Sequence, residues 1–224
     1  RPTSLKSRII ASQQHVVRVD REQTKSFSSK HYAMLLDFIT TNIKQYQAIV
    51  LSDYLKGVLS AGFTKQIIKL AKQHNCLIIV DPKGTNFSKY KFADYITPNF
   101  KEFCDVTKKN YSSERAIYTQ GIKLVSNLDL KALILTRSEK GISIIRHGEF
   151  LNMPTKAKEV FDITGAGDTV IAALALGLSS GLNVIHSTQL ANIAAGIVVA
   201  KVGTAFPTID EIKTELNNDT AFNS

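Results

Sequence analysis

The chain has 224 residues, of which 44% are hydrophobic, and this size fits one domain with one substantial core better than two domains. Its 28 basic and 19 acidic residues give a formal charge of +9, but the basic residues are scattered and are not interleaved with aromatic ones, so we expect nucleotide or sugar-phosphate ligands rather than a nucleic-acid partner. No apolar run approaches the roughly 18 residues of a membrane span, and the sequence at residue 1 lacks the apolar core of a signal peptide, so we expect no membrane partner and a cytoplasmic location.

The beginning of the chain predicts two short strands and a helix. Strands Arg8–Ser12 and His15–Val19 alternate around Gln13-Gln14. A helix follows, and either Ser28 or Ser29 can cap it. Its apolar residues recur at helical spacing, at Met34, Leu35, Phe38, Ile39 and Ile43.

Further along, apolar strands alternate with amphipathic helices. Strands are predicted at Ala48–Leu51, Leu77–Val80, Tyr95–Thr97, Ala132–Thr136 and Ile142–Arg146, and helices at Phe63–His74, Ser113–Ser126, Gly165–Ser180 and Val184–Val202, with a last helix introduced by the capping box Thr208 to Glu211. This alternation is typical of an α/β fold with a mainly parallel sheet covered by helices on both faces. We expect residues 1–216 to form the domain and the polar residues 217–224 to form a tail.

Polar residues follow four of the predicted strands. They are Ser52-Asp53, Asp81 to Gly84, Pro98-Asn99 and Thr136 to Ser138. One such strand end would indicate only a turn. Because ligands bind at the carboxyl ends of parallel strands, four together indicate the rim of a site.

A glycine-rich turn opens directly into the helix predicted from Gly165. Gly165, Ala166 and Gly167 would leave backbone amides free at the positive end of a helix dipole, where anions bind. Asp168 lies in the first helical turn, where its carboxylate can act as a general base beside that anion. The alternative is an ordinary helix start with a first-turn charge.

The pattern Asp-x-Thr-Gly-Ala-Gly-Asp, from Asp162 to Asp168, resembles the C-terminal signature of the ribokinase-like (PfkB) family of sugar kinases. Four further stretches resemble the branch that phosphorylates D-glycero-β-D-manno-heptose 7-phosphate: Leu51 to Gly57, Asp81 to Thr85, Thr97 to Phe103 and Thr136 to Gly141. The resemblance implies a ribokinase-like fold and ATP-dependent phosphorylation of the anomeric hydroxyl, giving the 1,7-bisphosphate for ADP-heptose and lipopolysaccharide synthesis. It also implies that Asp168 is the catalytic base and that the Gly165, Ala166 and Gly167 amides form the anion hole.

Within the same resemblance, two segments and one helical residue are expected to bind the nucleotide. They comprise Asn99, Phe100, Lys101 and Glu102, then Thr136, Ser138, Glu139 and Gly141, and finally Asn192 near the adenine. Glu102 would hold Mg²⁺, partly through water, since magnesium keeps several waters. Taken alone, Asn99 and Glu102 are a helix cap and its partner, and a buried, hydrogen-bonded Asn192 is the competing interpretation.

The sugar phosphate is expected to contact three charged residues, Asp53, Lys56 and Lys83. A carboxylate can orient sugar hydroxyls and a lysine can meet a phosphate, although each residue could instead form a surface ion pair. Asp162 and Thr164 match positions that hold a monovalent cation such as K⁺ in relatives. An aspartate that accepts hydrogen bonds from nearby amides explains that pair equally well.

The resemblance begins late in the family pattern. The family's first strands, its Gly-Gly sugar-binding segment and most of its lid have no counterpart, so we expect an unpaired sheet edge. A homodimer, or a partner that supplies the missing part, follows as an expectation. Another PfkB-type sugar or nucleoside kinase, or a catalytically silent nucleotide-binding fragment, are the alternatives.

Overall fold

The computed structural model describes residues 2–11, 14–157 and 159–218, and its first element is an antiparallel hairpin. Strands β1 (Leu5–Ala11) and β2 (Gln14–Arg21) pair only with each other. Both predicted strands are therefore confirmed, each with an earlier start, while the predicted end at Ser12 falls outside the described residues. The apolar side chains of the hairpin stay 47 to 62% exposed at Leu5, Ile9, Val16, Val17 and Val19.

The main sheet has six strands in the order of the chain. They are β3 (Ala48–Ser52), β4 (Leu77–Asp81), β5 (Tyr95–Ile96), β6 (Ala132–Thr136), β7 (Ile142–Arg146) and β8 (Glu149–Met153). The first four are parallel, while β7 and β8 are antiparallel to their neighbours. The sequence did not predict β8, because Glu149 and Asn152 interrupt its apolar pattern and the pairing with β7 arises through the turn at Gly148.

Seven helices lie in the described part of the chain: α1 (Ser29–Asn42), α2 (Ala61–Gln73), α3 (Phe100–Thr107), α4 (Glu114–Leu128), α5 (Ala166–Ser179), α6 (Val184–Val199) and α7 (Ile209–Asn218). Alternate strand residues face two cores. Ile78 and Leu133 pack with α1 to α4, whereas Ile79 and Ile134 pack with α5 and α6. The prediction of helices on both faces is confirmed. No described helix is long and apolar enough to cross a membrane.

Capping residues set several helix boundaries. Ser60 caps α2, Ser113 caps α4, and Thr208 and Glu211 form the predicted reciprocal box before α7. The helix predicted to end at Val202 stops at Val199 instead, because the chain turns there towards Gly203 at φ +79°. Helix α7 continues past the expected domain boundary at 216, and residues 219–224 lie outside the described part.

Strand β3 has one neighbour in the described sheet, so its outer edge is unpaired as expected. Large apolar side chains are exposed on β3 and on helix α1. Val50 is 41% exposed, and Met34 and Phe38 on α1 are 60% and 64% exposed. Helix α1 contacts the core only through partly buried residues such as Leu36 and Ile39.

Gly141→Ala should destabilise the fold at the β6–β7 turn. Gly141 is buried at φ +79°, and an added Cβ would lie 2.0 Å from the Met153 carbonyl oxygen. Backbone strain and overpacking together should lower the free energy of unfolding by about 2–4 kcal/mol. Gly148→Ala is the control, because Gly148 has φ +77° but open space around it. Urea unfolding that gave equal losses for both variants would contradict the close approach at Gly141.

Candidate active site

The glycine turn forms the predicted amide pocket at the start of α5. Gly165 is the N-cap at φ +84°, and no side chain caps this helix. Ala166 differs from the expectation, because its amide donates to the Ile163 carbonyl at 3.2 Å and closes a turn. In the described part of the chain, the Gly165 and Gly167 amides have no protein acceptor. The pocket therefore offers two amides at the positive end of the helix.

Asp168 is exposed in the first turn of α5, beside those amides. Its Oδ1 accepts a hydrogen bond of 3.0 Å from the Tyr54 hydroxyl. Tyr54 also lines a cavity of about 820 Å³ between the hairpin, residues 22–28 and the loop after β3. The candidate base thus lies at the border of a cavity large enough for a sugar phosphate.

Asp53 is the first residue of the loop after β3 and is buried, with 4% of its surface exposed. Its Oδ1 accepts from the Leu55 amide at 2.7 Å, and its Oδ2 accepts from the Tyr90 hydroxyl at 2.6 Å and from the Lys89 ammonium. Burial and the hydrogen bond to Asp53 raise the pKa of Tyr90, so this hydroxyl remains a donor. Both oxygens that were expected to orient sugar hydroxyls are therefore engaged within the protein.

The two lysines of the expected sugar site pair with glutamates. Lys56 bonds Glu22, which follows β2, and both residues line the cavity. Lys83 bonds Glu102, and this contact is the first cause that raises the pKa of Lys83. Each lysine thus has its charge balanced by a carboxylate, and Lys56 also lines the cavity.

Asn99 and Glu102 form a complete capping box at the start of α3. The Asn99 side chain accepts from the Glu102 amide at 2.9 Å, and the Glu102 carboxylate accepts from the Asn99 amide at 3.0 Å. The predicted cap is confirmed. Lys101 pairs with Asp105 on the helix surface. The Arg137 guanidinium carbon lies 5.9 Å from the centroid of the Phe100 ring.

The two expected nucleotide segments lie side by side, because Asn99 and Thr136 form a parallel bridge. Ser138 and Glu139 are exposed, whereas Gly141 is buried. Sequence reasoning missed the residue that fixes this turn. Arg137 is 6% exposed and donates two 2.7 Å hydrogen bonds to Glu114. A buried arginine after an apolar strand needs such a partner, which is the signal that could have found it.

Asp81 was placed at the rim of the site by the sequence but was not given a role there. Burial raises its pKa to about 7, and the neighbouring carboxylates of Glu102, Asp168 and Asp53 act in the same direction against Lys83. A role could have been found from strand pairing, because Ser52 and Asp81 are register partners at adjacent strand ends. The described part of the chain contains no group of three or more Asp, Glu, His or Cys side chains that could hold a metal ion by itself.

Asp81→Asn should change how stability depends on pH. The pKa of Asp81 in the folded chain lies above its ordinary value of 3.8, so folded chains retain a proton between about pH 4 and 7 that unfolded chains have lost. Wild-type stability therefore falls as pH rises through this window. The unfolding free energy of the variant, relative to wild type, should therefore increase by about 1–2 kcal/mol between pH 5 and pH 8. The check is urea unfolding at both pH values, with exposed Asp37→Asn as control. A pH-independent difference would contradict the raised pKa.

The remaining predicted site residues lie around α6. Asn192 is 5% exposed and donates to the Pro154 carbonyl at 2.7 Å, as the competing interpretation requires. A cavity of about 460 Å³ lies between α6 and α7 and is lined in part by Ile193, the residue after Asn192, and by Gly196. Asp162 accepts from the Thr164 amide at 2.8 Å, which is the amide contact expected if the pair does not bind a cation.

The sequence matches the profile of the pfkB family carbohydrate kinase over residues 1–211. The bifunctional protein HldE of Syntrophotalea carbinolica is 42% identical over 213 residues, which are 95% of this chain and 44% of that protein. HldE of Helicobacter pylori is 42% identical over 217 residues, covering 97% of this chain and 47% of the relative. The chain thus spans less than half the length of these curated relatives.

Solved structures share the architecture. Phosphofructokinase-2 from Escherichia coli in complex with potassium superposes with a TM-score of 0.79 at 16% identity, over 94% of this chain and 68% of that chain. Arabidopsis thaliana ribokinase complexed with ribose and ATP gives a TM-score of 0.72 at 19% identity, over 92% and 66%. The fold is ribokinase-like, and the chain belongs to the pfkB family of carbohydrate kinases.

Proposed function

We propose that the chain is a sugar kinase that transfers the terminal phosphoryl group of ATP to the anomeric hydroxyl of D-glycero-D-manno-heptose 7-phosphate. The 1,7-bisphosphate would be the product, for ADP-heptose and lipopolysaccharide synthesis. The observation that carries the proposal is the position of Asp168, which lies beside free helix amides at the border of an 820 Å³ cavity. The 42% identity to proteins named HldE supports the choice of sugar.

In the proposed reaction, Asp168 accepts the proton of the acceptor hydroxyl as phosphorus is attacked in line. The Gly165 and Gly167 amides stabilise negative charge on the transferring group. Asp168 binds Tyr54 through Oδ1, and its Oδ2 has no partner in the described part of the chain, so one oxygen can receive the proton. The base and the anion pocket act on the same group because they lie within one helical turn.

The nucleotide would lie along the two adjacent segments 99–102 and 136–141, with its base in the cavity beside Asn192. Glu102 and Asp81 would hold Mg²⁺, since burial and then the neighbouring carboxylates raise the pKa of Asp81, and a bound cation would stabilise its charged form. Bound Mg²⁺ supplies charge neutralisation on the phosphates. Lys83 would then exchange its bond to Glu102 for a phosphate oxygen.

Sugar binding would use the cavity wall. Lys56 lines the cavity and can bind the 7-phosphate of the sugar. Asp53 would contribute indirectly, because its hydrogen bond to the Leu55 amide holds the loop that carries Tyr54 and Lys56. Asp162 and Thr164 would bind K⁺ through side-chain and backbone oxygens at the start of the glycine turn. Potassium in the related phosphofructokinase-2 supports that assignment.

A panel of sugar phosphates and nucleosides, each mixed with ATP, Mg²⁺ and the chain, tests the proposal by following ADP release. Heptose 7-phosphate should give the highest kcat/KM. A higher value for a hexose phosphate or a nucleoside would replace the substrate but retain the reaction. ATP binding without turnover of any acceptor would contradict the proposed kinase activity of this chain.

The unpaired β3 edge and the exposed apolar face of α1 favour a second possibility. The chain would then bind nucleotide but need additional strands, from a partner or a second copy, for turnover. Sedimentation with and without ATP distinguishes a stable monomer from a homodimer.

A further inference from the structure

Tyr54 connects the candidate base to the cavity wall. Its hydroxyl donates to Asp168 Oδ1 at 3.0 Å, although 114 residues separate the two positions. Asp168 is exposed and has no other hydrogen-bond partner in the described part of the chain, so this contact alone fixes the direction of its carboxylate. A carboxylate held through one oxygen keeps its second oxygen in a defined position.

The hydroxyl of Tyr54 is a dependable donor near neutral pH. Burial, followed by the hydrogen bond to Asp168, raises the pKa of Tyr54 above its ordinary value of 10.0. The phenol therefore stays protonated where a kinase would work. Its bond to Asp168 persists without any change in protonation of the tyrosine.

A buried anchor sets the direction of the Tyr54 side chain. Tyr54 is 48% exposed, so its own packing does not fix it. Its two neighbours in the chain are held in place. The buried Asp53 carboxylate accepts a hydrogen bond of 2.7 Å from the Leu55 amide, and Leu55 adopts φ +54°. A non-glycine residue in the left-handed region persists only where its surroundings hold it. The strained backbone at Leu55 therefore directs the Tyr54 side chain towards α5.

The same loop contacts the hairpin on its other side. The Lys6 ammonium of β1 lies 5.4 Å from the centroid of the Tyr54 ring, within the range of a cation–π interaction. Lys56 bonds Glu22 after β2, and Tyr32 donates to the Gly57 carbonyl at 2.6 Å. Tyr54 is therefore in contact with both the hairpin and the candidate base.

We propose that Tyr54 is a positioning residue for phosphoryl transfer, which orients Asp168 and links that orientation to the hairpin. The inference rests on the proposed role of Asp168 as the base. The tyrosine takes no proton in the reaction and acts only through the carboxylate.

Tyr54→Phe tests the inference, because it deletes the hydroxyl and retains the ring below Lys6. We expect kcat to fall about 10-fold, as for loss of one hydrogen bond to a charged group, with the KM for ATP unchanged. Tyr46→Phe is the matched control, since Tyr46 is 57% exposed and lies outside the site. In the Asp168→Asn background, Tyr54→Phe should lower the residual rate no further. Equal losses in both backgrounds would show a general structural role and overturn the inference.

Carbon-13 NMR of aspartate-labelled protein provides a readout that needs no turnover. The Asp168 carboxyl signal, assigned by its absence from Asp168→Asn, should shift in Tyr54→Phe and not in Tyr46→Phe. An unchanged signal would overturn the inference. Wild-type turnover by Asp168→Asn would contradict the proposed function itself, whereas an inactive Asp168→Asn with a wild-type Tyr54→Phe would contradict only the role of Tyr54.

Discussion

Asp168→Asn should lower kcat by about 10²–10⁴-fold, the usual contribution of a positioned general base. The amide side chain has nearly the same shape and can still accept from Tyr54, but it cannot take a proton from an alcohol. ATP affinity should be unchanged, because the Gly165 and Gly167 amides remain. Steady-state kinetics with heptose 7-phosphate and calorimetry with ATP provide the two measurements.

Asp37→Asn is the matched control for that experiment. Asp37 is exposed on α1, away from the glycine turn, so the same chemical change should leave kcat at the wild-type value. If Asp168→Asn turned over at the wild-type rate, the assignment of the base would be wrong. A loss of ATP affinity equal to the loss of kcat would instead indicate damage to the amide pocket.

Asp53→Asn should produce the largest loss of stability from a single charge. The Lys89 side chain is 14% exposed and bonds Asp53, and Tyr90 is fully buried against the same oxygen. The variant would leave this ammonium buried without its carboxylate, and the single amide oxygen could not accept from both the Leu55 amide and the Tyr90 hydroxyl. Breaking one side of a buried pair costs about 3–5 kcal/mol, which urea unfolding would detect.

Asp105→Asn makes the same change in an exposed pair. Lys101 and Asp105 lie one helical turn apart with side chains 85% and 43% exposed, so the loss should stay below about 0.5 kcal/mol. If both variants lost equally little stability, the network around Asp53 would not hold the loop. If Asp53→Asn kept its stability but lost sugar affinity, direct sugar binding by Asp53 would replace the anchoring role.

Local sequence signals predicted most of the fold. Caps at Asn99, Ser113 and Thr208 lie within three residues of their partners, so both halves of each interaction are visible in the sequence. Short continuous apolar runs predicted the parallel strands, and β4 and β6 are indeed buried on both faces. Strand β8 was missed since its residues are only partly buried and its pairing depends on the turn at Gly148.

The candidate site was less accessible to sequence reasoning, because its contacts join distant segments. The glycine turn and Asp168 are contiguous and could be recognised together. Tyr54 could not be assigned to Asp168, since only the folded sheet brings β3 beside α5. Likewise, the raised pKa of Asp81 comes from burial and from carboxylates on other elements.

The most direct test is a crystal structure of the chain with ADP, Mg²⁺, aluminium fluoride and heptose 7-phosphate. We expect fluoride atoms on the Gly165 and Gly167 amides, with the anomeric oxygen about 2.6–3.2 Å from an Asp168 carboxylate oxygen. Aluminium fluoride and sugar bound away from the start of α5, with Asp168 in contact with neither, would show that Asp168 is not the base.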